Sequence, residues 1–252
     1  MESSFIGYSR GDYSSKTFQA VNPATGEKLP THYAYASDEE VSLACELAKN
    51  ASLHLCELSG KAKSDFFMTL AESLDSIVDA LVETMTNETG LPEARVRGET
   101  ARTTVQLRMF SKLVEEGSWV DARIDRAQPD REPLPKPDLR SMLRPVGPVA
   151  VFCASNFPLA FSVAGGDTAS AWAAGCPVIV KAHHAHPGTA FLVAEKVVES
   201  MKKCSWPEGA FSLLYGEGRT VGQRLVSNPA VKAVGFTGSR SGGRALFNLA
   251  SQ

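Results

Sequence analysis

The chain has 252 residues, 43% of them hydrophobic and 21% charged, an ordinary globular composition with length for one large domain or two small ones. A formal charge of −2 gives no electrostatic reason to expect nucleic acid or an anionic membrane as partner, and no apolar run approaches bilayer-spanning length. The opening MESSFIGYSRGDYSS has no apolar core and does not read as a secretory signal. The five cysteines are scattered without a C-x-x-C pair, so reduced thiols in a cytoplasmic protein are expected, and no zinc site or disulfide framework.

Residues 1–36 read as short strands and turns, with Asn22-Pro23-Ala24-Thr25-Gly26 as one turn, since Asn-Pro starts it and Gly closes it. Three helices follow. Ser37 and Asp38 can cap the first, where Val41, Ala44, Cys45 and Ala48 recur at helical spacing. The second starts near Lys61 and runs unbroken through Phe67, Leu70, Leu74, Ile77, Leu81 and Met85 to a stop at Gly90 and Pro92. The third spans about 92–116. All three stripes read as core-facing surfaces.

Residues 125–138 (DRAQPDREPLPKPD) are too rich in proline and charge for a helix or central strand. They read as an exposed loop, or as an arm reaching toward a partner subunit.

From Ser141 the pattern becomes an α/β alternation. Buried strands are expected at 148–153, 177–181, 211–215 and 230–237, with helices at 167–174, 186–203, 220–226 and from Gly242 onward. Such alternation implies parallel βαβ units, an α/β fold with a doubly wound, mainly parallel, Rossmann-like sheet. The organisation expected is 1–124 as N-terminal strands and helices, 125–143 as a proline-rich arm, and 144–252 as the βαβ nucleotide-binding core.

Ligands of open α/β sheets sit beyond the carboxyl ends of the strands. Four such ends carry candidate residues, placed to line one cleft: Ala154-Ser155-Asn156, Lys181 with His183-His184, Gly216-Glu217-Gly218-Arg219, and Thr237-Gly238-Ser239 with Gly243. Gly238, Ser239 and Gly243 form either a plain glycine turn or a phosphate-binding helix start. Lys181 is either a solvated strand end or a functional lysine. Arg219 is either a surface residue or a planar fork for phosphate. The Asn156 amide is either a turn former or a donor to a developing oxyanion. The spacing of His183, His184 and His186 matches no zinc pattern, so no metal is expected.

In order and spacing, Asn156-Phe157-Pro158-Leu159, Val180-Lys181, Gly216-x-Gly218 and Phe236-Thr237-Gly238-Ser239 with Gly243 resemble the aldehyde dehydrogenase superfamily, as does the Asn22–Gly26 turn. The likeness is nearest to NADP-preferring 2,5-dioxovalerate (α-ketoglutarate semialdehyde) dehydrogenases. It implies oxidation of a small aldehyde to the acid through a cysteine thioester, with Asn156 as the oxyanion-hole amide. Lys181 would hold the adenosine ribose or its phosphate, Gly238 and Ser239 the pyrophosphate, and Phe236 and Gly218 the adenine side, with Ala154 and Ser155 replacing the family's Pro-Trp beside the cofactor. NAD-preferring relatives place a glutamate where His184 stands. Lys181, His184 and Arg219 could instead surround a 2′-phosphate, so NADP is the expected cofactor, with NAD as the alternative.

The resemblance also implies that the nucleophilic cysteine and general-base glutamate follow the Phe236–Ser239 turn, at positions after Gln252. The expectation is thus a chain that carries the cofactor side, lacks the catalytic domain and oxidises no aldehyde alone. The alternative is a non-catalytic truncated dehydrogenase that binds nucleotide or a partner subunit. A sheet ending there would expose a strand edge, and the family likeness predicts a homo-oligomer formed through residues 125–143.

Overall fold

In the computed structural model, which describes residues 1–251, the N-terminal segment supplies four short strands: β1 (Phe5–Ile6), β2 (Ser9–Arg10), β3 (Thr17–Val21) and β4 (Lys28–Ala34). β3 and β4 form a separate antiparallel pair. Their hairpin turns at Asn22–Gly26, where the Asn22 side chain accepts from the Ala24 amide and Gly26 takes φ +74°.

Helix α1 (Asp38–Leu55) opens on a reciprocal cap. The Ser37 hydroxyl accepts from the Glu40 amide, and the Glu40 carboxylate accepts from the Ser37 amide. The expected single second helix is instead two, α2 (Gly60–Asp75) and α3 (Val78–Thr89). The apolar stripe does continue across the join, but the backbone does not. Ser76 donates its hydroxyl to the Ser73 carbonyl, and Ile77 leaves helical geometry at φ −112°, ψ 16°. Serine's local hydrogen bonding competes with the helix at that point. Helix α4 (Glu93–Glu116) follows, and Gly90 and Gly117 end α3 and α4 in the left-handed conformation.

Residues 123–141 are more ordered than a bare loop. β5 (Arg123–Asp125) and β6 (Leu139–Ser141) pair antiparallel, and Lys136 bridges to Asp125 at 2.9 Å. Both strands are exposed along their whole length.

The core is a six-stranded sheet of order β10-β7-β8-β9-β1-β2, formed with β7 (Val149–Phe152), β8 (Val178–Lys181), β9 (Phe211–Leu214) and β10 (Ala233–Phe236). β10, β7, β8 and β9 are parallel, while β1 runs antiparallel to β9. α5 (Gly166–Ala174), α6 (Pro187–Lys203), α7 (Gln223–Ser227) and α8 (Arg240–Ala250) are the intervening helices. β10 begins later than expected, because Asn228–Val231 forms a turn in which Asn228 accepts from the Ala230 and Val231 amides. α8 begins earlier, at Arg240, because Ser239 caps it.

Both sheet faces are covered, which is why the central strands read as unbroken apolar runs. Val149, Val151, Val178, Val180, Phe211 and Leu213 point into one core with Trp172, Phe66, Phe67 and Leu70. Ala150, Phe152, Ile179 and Leu214 point into the other with Val41, Ala44, Val221 and Leu225. Trp172 is fully buried and donates its ring N–H to the Ala210 carbonyl at 3.1 Å, as buried indoles require. No described helix is long and apolar enough to cross a membrane.

Candidate functional site

Register sets the site. Phe236, Phe152, Lys181 and Leu214 pair in turn across the four parallel strands, one row at their carboxyl ends. All four candidate loops therefore leave the sheet along one edge, but they divide into two groups.

The first group forms a cleft of about 460 Å³ between the loop after β9 and the start of α8. Phe152 and Phe236 floor it, their rings edge-on with centroids 6.0 Å apart. Glu217, Gly218 and Arg219 form one wall, and Ser239 and Gly242 the other. Gly238 lines an adjoining depression that shares Phe236 and Ser239.

The glycines of this group serve different ends. A Cβ on Gly238 would lie 2.7 Å from the Phe236 ring, and on Gly243 3.2 Å from it. At Gly238 the turn wraps the ring too closely for a side chain unless the ring shifts, and at Gly243 the fit would be tight. A Cβ on Gly218 would meet nothing within 4 Å, so its bareness keeps space in the cleft open. Ser239 accepts from the Gly242 amide at 3.2 Å, and Ser239, Ser241 and Gly242 bring the positive end of α8 to the cleft wall.

Arg219 is exposed and, among the described residues, makes no hydrogen bond or ion pair. Glu217 opposes it in sign but is bridged by Lys16 at 3.3 Å. Lys16 was not singled out from sequence, because it comes from a segment about two hundred residues away.

The second group is the pair of loops after β7 and β8. Lys181 is not a solvated strand end: it is 7% exposed. Burial lowers its pKa, opposed by the neighbouring Cys153 and Glu217. His184 is exposed, and its pKa is lowered by burial of its ring and by the Lys181 charge. The His183 ring stacks on His184 and His186 at 4.4 and 5.5 Å between centroids, and burial with the neighbouring charges pushes it down to about 3. His186 is fully buried, and its Nε2 donates to the Ala154 carbonyl at 2.7 Å, leaving Nδ1 without a partner. Among the described residues no group of three His, Cys, Asp or Glu is placed to hold a metal ion.

Ala154 is buried, while Ser155 and Asn156 are exposed. None of the three lines the nucleotide-sized cleft, and neither do Lys181 and His184. The loop that carries Asn156 is clamped from two sides. His186 holds Ala154, and Glu99 of α4, itself 3% exposed, accepts from the Leu159 and Ala160 amides at 2.9 and 3.0 Å. Glu99 escaped sequence reasoning, although a carboxylate within the stripe Val96, Thr103, Leu107 was the visible signal. Glu88 does the same for α6, accepting from the Gly188 and Thr189 amides. Burial pushes it up to about 7 despite these bonds.

None of the cysteines is set up as a nucleophile at this edge. Cys153 is buried, with its thiol pushed up to about 11 by desolvation, and Cys45 likewise. Cys176 is buried, Cys56 follows α1, and Cys204 ends α6 away from the cleft.

The aldehyde dehydrogenase family model matches residues 11–252. The chain is 51% identical to alpha-ketoglutaric semialdehyde dehydrogenase 2 of Azospirillum brasilense over 94% of its own length and 46% of that protein. It is 43% identical to alpha-ketoglutaric semialdehyde dehydrogenase of Acinetobacter baylyi, over 98% of its length and 46% of that protein. Among solved structures it is similar to succinate-semialdehyde dehydrogenase from Burkholderia pseudomallei, with 27% identity, a TM-score of 0.84, and coverage of 100% of this chain and 49% of that one. The chain thus spans about half the length of the curated relatives it matches.

Proposed function

Because the chain belongs to the aldehyde dehydrogenase family, we propose that it forms the nucleotide-binding and oxyanion-donating part of an NADP-preferring enzyme that oxidises a semialdehyde to the acid. The observation that carries this reading is the cleft itself. An open Gly218, an aromatic floor, a helix N-terminus and an unclaimed guanidinium converge on one space of dinucleotide-compatible character.

A dinucleotide fits that donor set. Gly238 and Ser239 would hold the pyrophosphate, and Phe236 and Gly218 the adenine side, with Ala154 and Ser155 beside the cofactor. Lys181, His184 and Arg219 supply positive or neutral groups where a carboxylate would repel a 2′-phosphate, and Lys16 offsets the one acid at the cleft wall. When bound, the nicotinamide supplies the hydride acceptor.

The chain's own contribution to chemistry is Asn156, whose side-chain amide donates to the oxygen that gains charge when a thiol adds to the aldehyde. Glu99 and His186 hold its loop, so the donor is in place before reaction. No cysteine at this edge is placed as the attacking thiol, Cys153 being buried with its thiol pushed up to about 11. The semialdehyde class rests on the named activities of the relatives above.

The test is selective loss. Arg219→Ala should weaken NADP binding about tenfold or more in isothermal titration and leave NAD affinity unchanged. An equal loss for both nucleotides would remove the 2′-phosphate assignment.

A further inference from the structure

Among the described residues lining the nucleotide cleft, Glu217 is the one acid, and it shares its wall with Arg219. A bare carboxylate there would repel a phosphate and accept from a hydroxyl, the opposite of what the neighbouring cations favour. Glu217 is not bare.

Two residues of the N-terminal β3–β4 region cover it. The Lys16 ammonium lies 3.3 Å from the Glu217 carboxylate and 4.7 Å from the centre of the Tyr35 ring, so it is held between the two. The Tyr35 hydroxyl has its pKa raised first by burial and then by the Glu217 charge. Backbone bonds fix this arrangement to the cleft. The Tyr35 amide donates to the Lys16 carbonyl at 2.9 Å, and the Ala36 amide donates at 2.9 Å to the carbonyl of Tyr215, two residues before Glu217.

The ion pair is open to solvent on both sides, so it adds little to stability. Neither Lys16 nor Tyr35 lines the cleft. The consequence of the pair is instead electrostatic, and it falls on whatever enters the cleft. Lys16 and Glu217 sum to zero charge. Without Lys16 the wall would carry a free negative charge next but one to Arg219, able to pair with that guanidinium and take it from a ligand.

We infer that Lys16, braced by Tyr35, masks the Glu217 carboxylate and so sets which nucleotide the cleft prefers. With the mask in place the wall tolerates a 2′-phosphate; without it Glu217 accepts from a ribose 2′-hydroxyl instead. This role deepens the proposed nucleotide site and rests on it. Lys16 is a positioning residue that acts through Glu217, while Arg219 meets the phosphate directly.

Isothermal titration of the 252-residue chain and its variants with NADP and with NAD, at one pH and ionic strength, reads the ratio of the two affinities. Lys16→Met should weaken NADP binding about fivefold and leave NAD binding as tight or tighter, and Lys16→Arg should keep the wild-type ratio. In a Glu217→Gln background, Lys16→Met should change the ratio no further, because no charge is left to mask. The melting temperature of each variant should stay at the wild-type value, since the pair is exposed. An unchanged ratio in Lys16→Met, an equal loss for both nucleotides, or a loss that persists in the Glu217→Gln background would overturn the inference. A wild-type chain that bound neither nucleotide would overturn the nucleotide reading and the mask together, whereas intact binding with an unchanged ratio in Lys16→Met overturns the mask alone.

Discussion

Glu99 shows how a single residue can hold a loop it does not belong to. It stands in the buried stripe of α4 and gives one carboxylate oxygen to two backbone amides that follow Asn156. Buried amides that lose their only acceptor cost about 1–3 kcal/mol each. Glu99→Ala should therefore lower stability by about 2–5 kcal/mol in urea unfolding, and Glu99→Gln, which keeps an acceptor oxygen, by clearly less. Equal losses for the two would mean that the charge, paired with Arg95, matters more than the hydrogen bonds. Sequence alone offered Glu99 only as a misfit in an apolar stripe, since its partners lie sixty residues away. His186 was visible too, but only in a histidine group whose spacing fits no zinc site; its bond to Ala154 depends on how β7 and β8 lie side by side.

At the scale of elements, the turn between β10 and α8 and the turn after β9 use glycine for opposite reasons, and this separates folding from binding. Gly238→Ala drives a methyl into the Phe236 ring, so it should lower the melting temperature and weaken nucleotide binding together. Gly218→Ala meets no atom, so it should leave the melting temperature unchanged while the new methyl narrows the cleft and weakens NADP binding. Differential scanning calorimetry beside binding titrations reads both, and a destabilised Gly218→Ala would contradict the open-space argument. The strands and most helices were legible because apolar periodicity and caps such as Ser37-x-x-Glu40 are local signals. The break at Ser76–Ile77 was not, because the apolar stripe continues across it while a local serine hydrogen bond interrupts the backbone. The candidate site was half legible: the row of strand ends follows from the alternation of elements, but its division into a cleft and a separate clamped loop depends on side-chain reach.

The whole molecule is a sheet covered on both faces, with two cores meeting through its strands. Everything chemical lies along one edge of it, at the carboxyl ends of the parallel strands, while the β5–β6 ribbon stands apart with Ile124, Leu134 and Leu139 exposed. We propose that this ribbon meets a partner subunit, as the family resemblance implies. The central claim concerns the other edge: that its charge arrangement accepts a 2′-phosphate. Lys181 and His184, Arg219 with Glu217, and Lys16 come from three separate segments, so only the folded chain can show their combined preference. Isothermal titration of the purified chain with NADP and with NAD, at the same pH and ionic strength, tests this most directly. The account predicts tighter binding of NADP, by about tenfold, with the advantage shrinking as salt screens the charges; equal affinity, or tighter binding of NAD, would contradict it.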